Sequence, residues 1–182
     1  MPNATDTELK TRIWAIDLEP VLFKLLHDDK RGEYTLPALL DGAEEYRRFL
    51  YLAVTRKKPT VPTRLVDVIW HQHILDTAKY ADDCTAAFGY FLHHFPYYGM
   101  RGSEDKANLE QSFAESEADY ALAFGTRASA SKDYGWCQPN DCGPVYCGDC
   151  GTENCSPVDD IHQAAYAVMR SKERPRLAAL HH

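Results

Sequence analysis

The chain has 182 residues, the size of one ordinary domain or of a domain with a tail, and 45% of them are hydrophobic, enough to build a core and to exclude wholesale disorder. Acidic residues outnumber basic ones 27 to 20, for a formal charge of −7, so no nucleic-acid partner is expected. No apolar run reaches the roughly 18 residues of a membrane span, and the polar opening Met1 to Lys10 lacks the apolar stretch of a secretory signal, so the expectation is a cytoplasmic protein with no membrane partner.

Along the chain, Leu9, Ile13, Trp14 and Ile16 begin an apolar stripe. Asp17-Leu18-Glu19-Pro20 restarts it, because proline is tolerated in a first helical turn and not deeper. Asp28 to Gly32 is a polar stop. Asp41-Gly42-Ala43-Glu44 has the form of a capping box and predicts a helix start there, with Tyr46, Phe49, Leu50 and Ala53 on one face. Pro62-Thr63 caps a long helix that the pattern carries to about Phe88, where Gly89 is a natural stop. Ser103 caps a last body helix ending at Phe124-Gly125. No stretch alternates apolar and polar residues long enough to predict a strand. Arg47-Arg48 and Arg56-Lys57-Lys58 read as solvated helix ends, and Glu104, Asp105, Glu110, Glu115, Glu117 and Asp119 as the exposed face of the last helix.

The expected fold is therefore all-α: a compact bundle of about five or six helices around a long central helix, with an irregular cysteine-rich C-terminal extension. The divisions are a helical body over 1–126, a cysteine-rich tail over 127–156, and a short amphipathic helix (Asp159 to Lys172) with the chain end over 157–182.

The most unusual segment is Val66 to Gly99, which holds four of the chain's eight histidines. It contains Val66-Asp67, Trp70-His71-Gln72-His73, Tyr80-x-x-Asp83-Cys84, Phe88-Gly89 and His93-His94-Phe95-Pro96. With Leu18-x-Pro20, Glu45 to Leu50, Val61-Pro62, Tyr120 and Phe124-Gly125, this pattern resembles the glycine-rich domain-containing protein-like family of bacteria and plants. Bacterial members often carry a cysteine- and glycine-containing tail, to which Asp141-Cys142-Gly143 through Cys150-Gly151 is similar. The resemblance implies a fold and no particular reaction.

Histidine is the commonest protein ligand for zinc and for non-haem iron. Successive helical residues turn by about 100°, so His71 and His73 point to nearly opposite faces and do not share one ion on a regular helix. Two stripes result. Asp67, His71, Ile74 and Ala78 lie along one; His73, Thr77, Tyr80 and Cys84 lie along the other. Asp67 and His71 have the four-residue spacing that sets two ligands side by side in helical metal sites. The loop pair His93 and His94 offers a third ligand, giving a candidate site of Asp67, His71, His93 and His94 for a divalent ion, zinc or iron. The competing reading is structural: Asp67 caps or pairs with Arg64 or Arg101, and His71 satisfies a backbone carbonyl. On a straight helix His73 and Cys84 are separated by about 16 Å, which rejects a nucleophile dyad between them. Cys84 with His93 or His94 stays open, against the commoner role of a small buried cysteine as core filler. His27 and His162 read as surface residues, and His181 and His182 end the chain.

Cys137, Cys142, Cys147, Cys150 and Cys155 crowd the tail. Cys147-Gly148-Asp149-Cys150 has the spacing of half a zinc site, but only one such unit occurs. Zinc binding, disulfides, a redox-active tail and a thiol-bearing linker without fixed partners all remain open. There is no glycine-rich phosphate loop and no Gly-x-Ser-x-Gly elbow, so no nucleotide cofactor and no serine-hydrolase chemistry is expected. Three functions stay open: a metal-associated helical module binding a divalent ion through the Asp/His cluster; a metal-dependent enzyme, oxidative or hydrolytic, acting on a small molecule or peptide; and an interaction domain whose histidine motif is only core. The sequence identifies neither a protein partner nor a small-molecule substrate.

Overall fold

A computed structural model of the protein describes residues 5–125, 145–146 and 174–181. The cysteines of the tail, His162, His182 and the helix expected over Asp159 to Lys172 lie outside the described residues. Within them the architecture is all-α, with helices α1 (Asp6–Trp14), α2 (Glu19–Asp28), α3 (Leu36–Thr55), α4 (Arg64–Leu75), α5 (Thr77–Phe88) and α6 (Ser103–Phe124). A two-residue strand β1 (His93–His94) pairs antiparallel with β2 (Val145–Tyr146), His93 opposite Tyr146 and His94 opposite Val145. A short 3₁₀ turn, Leu177–His181, closes the described chain.

The first three helices have local causes. Thr5 and Glu8 form a reciprocal cap on α1, which buries Ile13. Pro20 sits in the first turn of α2, whose buried face is Pro20, Val21, Leu22 and Leu25. Helix α3 begins earlier than the box at Asp41 predicts. Thr35 accepts a hydrogen bond from the Ala38 amide and caps it, Pro37 is accommodated in the first turn, and Asp41 is an exposed interior position.

The single long helix expected over Thr63 to Phe88 is two helices. Asp76, at φ −85° and ψ 70°, breaks it between α4 and α5. The Asp76 carboxylate is held bidentately by the Arg174 guanidinium, with Nη2 2.8 Å from Oδ1. The break lets α5 fold back: Trp70 Nε1 donates to the Tyr80 hydroxyl at 3.0 Å, although ten residues of straight helix would separate them by about 15 Å. Gly89, at φ 87°, then ends α5 in the left-handed conformation that only glycine adopts freely.

The core is one cluster in which α3 packs against α4, with Leu39, Tyr46, Leu50, Val66, Ile69 and Trp70 at its centre. A smaller cluster of Val61, Tyr98 and Leu109 seats α6 and the loop before it. Lys57 and Lys58, just beyond α3, are exposed as a solvated helix end, but Arg48 and Arg56 are not. Arg48 reaches Glu44, Glu45 and the Tyr120 hydroxyl, and the side chain of Arg56, only 8% exposed, pairs with Asp119 at 2.6 Å. They clamp α3 to α6 because helix α6 is weakly amphipathic and buries only Leu109, Ser116 and Tyr120. On the acidic face, Asp105 and Glu115 are likewise paired, with Arg101 and Lys58. The C-terminal turn docks on α2: the Leu177 amide donates to Glu19 at 2.9 Å and Arg176 reaches Asp17 at 2.6 Å. No helix among the described residues is long and apolar enough to cross a membrane.

Candidate metal centre

Helix α4 supplies two of the candidate ligands from one face. Asp67 and His71 are four residues apart, and Asp67 Oδ2 lies 3.5 Å from His71 Nδ1. Strand β1 supplies the third. His94 Nε2 lies 3.0 Å from His71 Nε2 and 3.7 Å from Asp67 Oδ1. One ligand atom from each of Asp67, His71 and His94 falls within 4.8 Å of the others. Zinc binds such atoms at about 2.0–2.1 Å, so ligand atoms on the edges of a tetrahedron around it stand about 3.3 Å apart. The gaps from His94 Nε2 to His71 Nε2 and to Asp67 Oδ1, 3.0 and 3.7 Å, bracket that edge.

His93 does not join the group. Side chains alternate along a strand, so with His94 turned to α4 its neighbour turns away. His93 is exposed, with its ring 4.8 Å from that of Phe91.

The electrostatics of the group suit a cation. The Asp67 side chain is only 4% exposed, and its Oδ1 is buried without a hydrogen-bond partner. A buried carboxylate oxygen normally finds a donor, and leaving one without costs about 1–3 kcal/mol. The arginine partners weighed for Asp67 are elsewhere: Arg101 is bound by Asp105 at 2.7 Å, and Arg64 is exposed. Burial lowers the pKa of His71, an effect that Asp67 opposes and His94 reinforces, so His71 favours the neutral imidazole that binds metals. The Trp70 and His94 rings meet at a steep angle, centroid to centroid 4.5 Å, and this contact packs the imidazole in place. The His71 side chain is 44% exposed, so the group is reached from solvent on that side.

The opposite face of α4 carries a second polar network. His73 is 1% exposed. Its Nδ1 lies 3.0 Å from the Tyr46 hydroxyl and its Nε2 3.0 Å from Asp83 Oδ2. A neutral ring satisfies both contacts at once, with Nδ1 accepting from Tyr46 and Nε2–H donating to Asp83. Burial lowers the pKa of His73 in spite of Asp83, in keeping with that form. Lys79 also donates to Asp83. The role of Asp83 was hidden in the sequence because it depends on the fold-back at Asp76, and that of Tyr46 because it depends on the packing of α3 against α4. Cys84 is buried beside Tyr80 and the Leu92 backbone, and burial pushes its thiol up to about 11. It is a protonated packing group at neutral pH, not a thiolate nucleophile.

The comparison that bears on this geometry is the family match, which spans residues 10–117 and so contains all three ligands. The chain belongs to the UCP032817-like family. Two Arabidopsis thaliana proteins resemble part of it. Glycine-rich domain-containing protein 1 is 34% identical over 94 residues, which is 49% of this chain and 11% of that protein. Glycine-rich domain-containing protein 2 is 31% identical over 94 residues, 49% of this chain and 12% of that protein. The chain therefore matches about a tenth of each relative's length. This UCP032817-like chain is thus a member of the glycine-rich domain-containing family whose motifs its sequence carries. No solved structure matches it.

Proposed function

We propose that the protein is a metal-associated helical module that binds one divalent ion through Asp67, His71 and His94. The observation that carries the proposal is the buried Asp67 Oδ1, which has no hydrogen-bond partner and lies 3.7 Å from His94 Nε2. A cation bound there would satisfy that oxygen and bridge the two imidazole nitrogens now 3.0 Å apart. Two imidazoles and one carboxylate suit zinc or iron. Asp67 and His71 hold the ion to α4, His94 holds it to β1, and the buried Trp70 ring packs His94 in place. An ion bound there would act as a Lewis acid or would lower the pKa of a bound water. The half-exposed His71 favours a second reading, in which solvent or a small molecule reaches the ion and the module is a metal-dependent enzyme.

The test is metal content by inductively coupled plasma mass spectrometry on the full chain without an affinity tag, after reconstitution with zinc or iron. Wild type is compared with His71→Ala and with a variant whose five tail cysteines are serine. The expected result is an ion lost in His71→Ala and retained without the cysteines. An ion lost only with the cysteines, or no ion in any sample, contradicts the proposal.

A further inference from the structure

Two of the three proposed ligands stand on α4 and the third on β1, and the chain between those elements runs through α5. The site therefore depends on whatever sets β1 against α4. One side chain of α5 touches both. The Tyr80 hydroxyl accepts from Trp70 Nε1 at 3.0 Å and donates to the Leu92 carbonyl at 2.5 Å. Trp70 is the residue before His71, and Leu92 the second residue before His94. Tyr80, Trp70 and Leu92 are each no more than 1% exposed, so water does not substitute for either bond. One turn further along α5, buried Cys84 lies beside the same Leu92 backbone. The backbone that leads into His94 is thus gripped from one side by α5.

We infer that Tyr80 is a positioning residue for the metal centre: its hydroxyl ties the backbone carrying His94 to the helix carrying Asp67 and His71. The inference rests on the metal reading above. It assigns Tyr80 a task that core packing alone does not require, since phenylalanine would fill the same space. Without the hydroxyl, the Leu92 carbonyl loses its buried donor and Trp70 Nε1 its acceptor. His94 is then held against the two ligands on α4 by fewer contacts, the Trp70 ring and the pairing with β2. Groups bonded directly to metal ligands typically change metal affinity by 10- to 100-fold, and Tyr80, one residue further out, is expected to act at the lower end of that range.

The test compares wild type, Tyr80→Phe and Tyr46→Phe as full chains, each shown folded by circular dichroism and titrated with Co(II). Competition with zinc gives the affinity, and the visible cobalt bands report the coordination geometry. Tyr46→Phe is the comparator: its hydroxyl is equally buried and also hydrogen-bonded, but it contacts His73 and not the β1 backbone. Both variants are expected to lose stability. Only Tyr80→Phe is expected to bind cobalt and zinc about tenfold more weakly and to shift the cobalt bands. Unchanged affinity and spectrum in a folded Tyr80→Phe overturn the inference while leaving the metal reading intact, as does an equal change in Tyr46→Phe. Failure of wild type to bind either ion overturns both. If Tyr80→Phe does not fold, 4-fluorophenylalanine at position 80 fills the space of the hydroxyl without donating to Leu92; weaker binding with shifted bands supports the inference, and unchanged binding overturns it.

Discussion

Asp67 is the residue on which the proposed metal centre turns, because its buried Oδ1 has no hydrogen-bond partner. A carboxylate 3% exposed with an unpartnered oxygen costs stability, and a cation bound there would offset that cost. Asp67→Asn separates the two effects, since asparagine keeps the shape and removes the charge. With metal removed by a chelator, the variant is expected to match or exceed wild type in stability, by about 1 kcal/mol, or roughly 2–4 °C in Tm for a chain of this length. Added zinc is expected to raise the Tm of wild type only. A variant that is less stable than wild type without metal and still gains from zinc would show that Asp67 is a packing residue. The facing of Asp67 and His71 is legible in the sequence, because four-residue spacing on a helix needs no tertiary information. The choice between His93 and His94 is not. It follows from strand alternation in a two-residue element, whose pairing partner lies about fifty residues further along the chain.

Helices α3 and α4 form the platform of the site, and Gly42 sets how closely they approach. A Cβ at Gly42 would lie 2.7 Å from Leu65 Cδ2 and 2.8 Å from Ile69 Cδ1. Alanine gains roughly 0.5–1 kcal/mol of helix propensity over glycine, but overpacking a core costs about 1–3 kcal/mol. Ile69 is fully buried and Leu65 nearly so, which leaves little room to yield. Gly42→Ala is therefore expected to destabilise by about 1 kcal/mol in denaturant unfolding, and a stabilised variant would show that α3 and α4 can separate without cost. The helices themselves are legible from capping residues and apolar stripes, except where long-range contacts decide. Nothing local to Asp76 demands a break, and the apolar pattern runs through it. The break is held by Arg174, 98 positions away, and by the Trp70–Tyr80 bond that it permits. The early start of α3 is a different case. Thr35 was a competent cap in plain view, and the more conspicuous Asp41-x-x-Glu44 pattern drew the boundary away from it.

At the scale of the molecule, segments distant in sequence converge on the α4–α5 unit. Val145–Tyr146 pairs with the strand that carries His94, and Arg174 clamps the turn between the two helices. Arg176 and Leu177 fasten the chain end to Asp17 and Glu19 at the start of α2. Composition and periodicity reveal the helical class, but they say nothing of these closures, which rest on single ion pairs and two-residue pairings. The family match over residues 10–117 covers the same α4–α5 unit, so the proposed metal centre lies in the part of the chain that defines the family. The measurement that tests this centre most directly is isothermal titration of zinc into the full chain, wild type against His94→Ala and His93→Ala. The two substitutions are chemically identical and adjacent, and they differ only in the side of β1 they occupy. The structure predicts one site in wild type, its loss in His94→Ala and its retention in His93→Ala. Equal loss in both variants, or retention in His94→Ala, would contradict a metal centre built on Asp67, His71 and His94.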